Sequence, residues 1–145
     1  MTETSTCLLW TQSQSPDAGF HRVPDEDDYF QMIRWISFCS TELHKQIFRI
    51  VFYDEATDDV KERIRGLAPK RFELLEAHLT DRQFLVGNTF SAADAYLTWF
   101  FVLAEKAQLE ARDYKNLLSY RDRMFARPKI SALIAEDYAK SREMN

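Results

Sequence analysis

Apolar residues recur at a helical period through most of this chain. From Tyr29 they fall at Met32, Ile36, Cys39, Leu43, Ile47 and Ile50, three or four apart, on one face of a helix starting near Asp25–Asp28. The carboxylates there suit the positive end of a helix dipole. Trp35, Phe38, Phe48 and Phe52 form a second apolar side, so this helix is expected to be contacted on several faces. A second helix is predicted from Thr57-Asp58-Asp59, with Val60, Ile64, Leu67, Phe72, Leu75 and Leu79 turned inward. Gly66 and Pro69 interrupt it. A proline in a helix interior costs about 3 kcal/mol unless a bend absorbs it, so a kink is expected near Arg65–Ala68. A third, strongly apolar helix runs from Ala92 to about Gln108, and a fourth covers about Tyr114–Ala126. Pro128 ends that one and can open a last helix over Lys129–Ser141. Five helices with short links predict an all-α bundle over residues 25–145.

Residues 1–24 behave differently. Leu8, Leu9, Trp10, Phe20 and Val23 lie among Pro16, Gly19 and Pro24 without a sustained period. An irregular arm is expected, packing back across the bundle so that these apolar residues leave water. Its Thr-, Ser- and Gln-rich composition equally fits a disordered tail.

The strongest local signal is Phe84-Leu-Val-Gly-Asn-Thr-Phe-Ser-Ala-Ala-Asp-Ala-Tyr96. Gly87 and Asn88 supply a turn. Ser91 and Asp94 then form an S-x-x-D capping box, and Phe90 and Ala95 have hydrophobic-staple spacing. Capping accounts for both Ser91 and Asp94 without a catalytic role.

Composition narrows the class further. At 145 residues with 46 % hydrophobic content, the chain has material for one sizeable core. Only 3 glycines and 4 prolines favour long helices. A net charge of −4 gives no case for nucleic acid or an anionic membrane. The longest apolar stretch is far short of the ~20 residues of a membrane helix. The start of the chain carries no basic segment of a secretory signal. Cys7 and Cys39 are too few for a disulfide framework. A soluble cytoplasmic protein is the expectation.

Three segments carry a resemblance. Phe84-Leu-Val-Gly with Ser91-Ala-Ala-Asp94-Ala looks like the "FLVG…S-x-A-D-A" segment of the C-terminal helical domain of glutathione S-transferases. Ser40-Thr-Glu-Leu-His-Lys45 is similar to the "T-E-x-H-K" segment of the bacterial beta class. Asp113-Tyr-Lys-Asn-Leu117, Tyr120 and Met124-Phe-Ala-Arg-Pro128 resemble its "D-Y-P-N-L…Y…R-x-x-A-R-P" segment. Order and spacing agree over roughly residues 27–138. The resemblance implies a thioredoxin-like domain ahead of the helices that binds most of glutathione. No such domain is expected within these 145 residues, and Cys7 does not map onto its cysteine. The resemblance also implies a homodimer through the first two helices, where Trp35, Phe38, Phe48 and Phe52 supply apolar surface.

His44 is the candidate catalytic residue. At α-helical spacing Ser37, Ser40, Thr41, His44 and Phe48 form one stripe, a small polar strip beside aromatic walls. Histidine is suited to proton transfer near neutral pH. The resemblance adds that the matching His–Lys pair, here His44 and Lys45, faces the glutathione thiol region. Trp99 is placed with the groove wall. The other reading of His44 is a partly buried histidine bonded within the bundle, with Lys45 simply solvated. His21 and His78 share no metal-ligand spacing with it, and there is no Cys-x-x-Cys, so no metal is expected. Two functions stay open. One is a stand-alone domain that binds a small, mostly apolar ligand beside His44, with glutathione-linked transferase or isomerase chemistry. The other is a non-catalytic assembly module with a separate protein partner.

Overall fold

The computed structural model describes residues 3–14, 26–109 and 111–143. Among these every regular element is helical. In chain order they are α1 (Thr4–Gln14), α2 (Glu26–Phe38), a π-helix (Cys39–Phe48), α3 (Arg49–Val51), α4 (Asp58–Arg65), α5 (Ala68–His78), α6 (Ala92–Lys106), α7 (Lys115–Phe125) and α8 (Pro128–Glu143).

The π-helix is the main departure from the predicted first helix. Its i→i+5 bonding widens the turn, and such segments are uncommon and concentrate at functional positions. The Arg49 amide still donates to the His44 carbonyl, five residues back. Widening changes which residues share a face. Cys39, Leu43 and Ile47, four apart, are buried; Ser40 and His44 are half-buried; Ser37, Thr41 and Lys45 are exposed. The expected stripe splits: Ser37, still within α2, and Thr41 both face solvent. Thr41 bonds back to the Ser37 carbonyl at 2.9 Å. Tyr29 and Val60, expected inward, are also exposed.

The expected kink is a full break. α4 stops at Arg65, the chain turns through Gly66 and Leu67, and α5 restarts at Ala68 with Pro69 in its first turn. A proline there gives up an amide that has no intrahelical acceptor in any case, so the break removes the cost of an interior proline.

α6 is the central helix, packed against α1, α2, the π-helix and α7. Its N-terminus carries the predicted capping box. Asp94 is fully buried and accepts four bonds. Oδ2 takes the Ser91 amide (2.9 Å) and hydroxyl (2.7 Å), while Oδ1 takes the Leu85 amide (2.9 Å) and the Tyr120 hydroxyl (2.7 Å). One carboxylate thus ties the 79–91 connection and α7 to the start of α6. Burial pushes its pKa up, and the four donors pull against that. At the other end Gln108 adopts φ 58°, the Leu109 amide reaches the Ala104 carbonyl (2.9 Å), and the Gln108 amide reaches Glu105 (3.1 Å). This is a Schellman motif with glutamine where glycine is usual. α7 lacks its own cap and is capped from α5: the Glu76 carboxylate accepts the Asn116 and Leu117 amides at 3.0 and 2.8 Å.

Within the arm, residues 4–14 form helix α1, which corrects the expectation of irregular structure. Leu8 and Leu9 pack on the core. Gln12 is buried, and its Oε1 accepts the Ala92 amide at 2.9 Å, satisfying a first-turn donor of α6 from outside. Tertiary contact holds this helix, which is why periodicity missed it. Trp10, expected to be buried, is 53 % exposed. Phe20, His21 and Val23 lie outside the described residues. The surface argument for a dimer also changes, because Trp35 and Phe48 are core residues.

Candidate functional site

The Ser40–His44 face of the π-helix meets α6 across a cavity of about 400 Å³, lined by Thr4, Leu8, His44, Ala95, Tyr96 and Trp99. α6 contributes Ala95, Tyr96 and Trp99 by i, i+1, i+4 spacing, and α1 closes one wall with Thr4 and Leu8. His44 Nδ1 lies 3.0 Å from the Tyr96 hydroxyl. The His44 ring meets the Trp99 ring edge-on, with centroids 4.9 Å apart. Burial, then the Lys45 charge, lowers the His44 pKa, so the ring is neutral at physiological pH. Tyr96 is only 3 % exposed. Burial raises its pKa, and the nearby side chains of Ser40 and Thr4 pull the other way.

Of the sequence-predicted residues, His44 and Trp99 line this cavity, and Ser40 is near Tyr96 without lining it. Phe48 lies behind it, stacked on Phe100 (4.9 Å) and edge-on to Trp99 (5.9 Å). From there the aromatic wall continues outward through Phe52, 5.6 Å from Phe48, and Trp99 itself is 38 % exposed. Ser37, Thr41 and Lys45 do not line the cavity. Tyr96, Thr4 and Leu8 escaped the sequence reading as site residues. The α6 spacing pointed to Tyr96 beside Trp99, but its partner lies 52 residues away. Cys39 is buried, and burial followed by the Asp94 charge pushes its thiol pKa up, so it is no nucleophile.

Two other depressions lack this chemistry. One, about 480 Å³ at the far end of α6, has a floor of Phe72, Phe100 and Phe101. The other, about 630 Å³, is polar and includes Asp28, His78 and Asp81. Among the described residues no group of three or more His, Cys, Asp or Glu side chains could hold a metal ion, and no helix is long and apolar enough to cross a membrane.

The chain is thus an all-helical domain whose central helix is pinned by a buried capping aspartate, with a His–Tyr–Trp cavity on one flank. Residues 41–137 match the family described as "Glutathione S-transferase, C-terminal domain", and the chain belongs to that family. It is 26 % identical over 137 residues to "Glutathione S-transferase GstA" of Escherichia coli O157:H7, covering 94 % of this chain and 68 % of that protein. A sphingomonad glutathione S-transferase complexed with glutathione superimposes with a TM-score of 0.83 at 25 % identity, over 94 % of this chain and 67 % of the other. A glutathione transferase from Methylococcus capsulatus gives 0.85 at 26 %, over 96 % and 68 %. The chain thus spans about two thirds of the length of these relatives.

Proposed function

We propose that the cavity beside His44 binds a small, mostly apolar ligand connected with glutathione, as the helical part of a glutathione S-transferase-type site. The observation that carries this reading is the meeting of His44, Tyr96 and Trp99 around one ligand-sized cavity in a chain of this family. The size lies within the range of small-molecule sites, with aromatic walls and few polar groups. The relative complexed with glutathione shares this fold. Trp99 and Phe52 extend the apolar wall toward solvent, which suits the organic half of a glutathione conjugate better than the bare tripeptide. Lys45, exposed beside His44, adds positive charge for a carboxylate.

The test is a titration with S-hexylglutathione, glutathione and hexane-1-thiol, read by tryptophan fluorescence, in wild type and His44→Ala. S-Hexylglutathione is expected to bind best. His44→Ala should weaken it about tenfold while the unfolding midpoint changes little. If His44→Ala instead loses roughly 1–3 kcal/mol of stability and leaves binding intact, His44 is a structural hydrogen bonder.

A further inference from the structure

We propose that Tyr96 is a positioning residue that fixes His44 as its Nε2–H tautomer, so that His44 meets a ligand as a hydrogen-bond donor and not as a base. The proposal concerns the cavity assigned above but rests on groups present in the ligand-free protein. The phenol oxygen of Tyr96 has one proton to give and two lone pairs. His44 Nδ1 lies 3.0 Å from it, and the hydroxyl side chains of Ser40 and Thr4 are nearby. The proton can go to the imidazole or to one of the hydroxyls. An imidazole nitrogen is a far stronger acceptor than an aliphatic hydroxyl oxygen, because its conjugate acid has a pKa of ~6.5. Tyr96 therefore donates to Nδ1.

The rest follows from proton counting. A neutral ring carries one N–H, and with Nδ1 accepting, that proton is on Nε2. His44 Nε2 makes no hydrogen bond among the described residues, so its N–H is available to a ligand. The lowered His44 pKa keeps the ring neutral, and the raised Tyr96 pKa keeps the phenol protonated. For His44 to act as a base at Nε2, its ring proton would have to move to Nδ1 and the Tyr96 hydroxyl turn its own proton elsewhere. That exchanges the phenol-to-imidazole bond for a weaker one in which the ring N–H donates to the phenol oxygen. The arrangement is therefore built to bind and hold an acceptor atom, a thiolate sulfur or a carboxylate or carbonyl oxygen, and not to abstract a proton.

The test is long-range ¹H–¹⁵N correlation on histidine-labelled, ligand-free protein at pH 7.5. In the wild type, His44 Nδ1 should resonate as an unprotonated, hydrogen-bonded nitrogen and Nε2 as a protonated one, in a single tautomer. Tyr96→Phe keeps the ring and removes only the hydroxyl. In that variant the Nδ1 resonance should shift toward the value of a free imidazole and show tautomer exchange. A protonated Nδ1 in the wild type overturns the proposal, and so does a Tyr96→Phe spectrum with the His44 nitrogens unmoved. Should Tyr96→Phe not fold, the wild-type spectrum decides alone. Because no ligand is present, this result stands apart from whether S-hexylglutathione binds.

Discussion

Replacing Asp94 with alanine should bring the domain close to unfolding. The carboxylate is fully buried, and three of its four donors cannot turn elsewhere: the Leu85 amide, the Ser91 amide and the Tyr120 hydroxyl. The Ser91 hydroxyl can rotate. A buried donor left without an acceptor costs about 1–3 kcal/mol, so three of them cost roughly 3–9 kcal/mol. Water entering the vacated space recovers part of this, and removing a buried carboxyl recovers some desolvation. A net loss of about 3–5 kcal/mol remains, against a total stability of about 5–15 kcal/mol for an ordinary domain. Two comparisons separate the mechanism from general damage. Asp94→Asn keeps an acceptor for Leu85 and Tyr120 but turns an NH₂ toward the Ser91 amide, so it should lose about 1–3 kcal/mol. Tyr120→Phe removes a donor without orphaning one and should lose only about 0.5–1.5 kcal/mol. Urea unfolding followed by far-UV circular dichroism gives all three values. Asp94→Ala within about 1 kcal/mol of wild type, or Asn as damaging as Ala, would refute this account of the buried network.

Further outcomes follow from other parts of the structure. Gln108→Gly relieves a left-handed residue at the end of α6 and should raise stability by about 0.5–1 kcal/mol; a lower urea midpoint would show that the glutamine side chain makes a contact worth more than the strain. His44 and His78 both have folded pKa values below 6.5, mainly through burial. The unfolded chain therefore takes up protons first as pH falls, and stability should be full above pH 6.5 and decline below it; equal urea midpoints at pH 7.5 and 5.5 in wild type would contradict this. Tyr29 and Phe30, the latter 57 % exposed, leave apolar surface on α2. Self-association as a homodimer through that surface is expected, with Phe30→Glu shifting the light-scattering mass to the monomer. A monomeric wild type at tens of micromolar would exclude it.

How much of this was legible depended on where each signal resides. The start of α6 could be read outright, because cap, staple position and turn lie within residues 84–96 and act over one helical turn. Even there one of the four Asp94 bonds was not local, since Tyr120 arrives from 26 residues away. The core face of α2 was read through Met32 and Ile36. The stripe beyond them failed at Ser37, which is exposed within α2, and at Thr41, where the chain has left α-helical spacing and nothing in composition announces a π-helix. α1 was missed because its stability is tertiary: Gln12 reaching the Ala92 amide is invisible to any periodicity. The site divided in the same way. His44 and Trp99 stood out by residue type and position, whereas Tyr96 is marked as a site residue only by its hydroxyl against Nδ1, a contact 52 positions apart in the chain.

The central claim, a glutathione-linked ligand in the cavity beside His44, has reporters built into the chain. Of its three tryptophans, Trp99 lines the cavity, Trp35 is buried in the core, and Trp10 is exposed on α1. The measurement is the ¹H–¹⁵N spectrum of the three indole groups during titration with S-hexylglutathione. The Trp99 indole should shift and saturate together with the His44 ring resonances, while Trp35 stays in place. Saturating shifts confined to Trp35 or Trp10, or no shift of Trp99 and His44 at millimolar ligand, would contradict the claim.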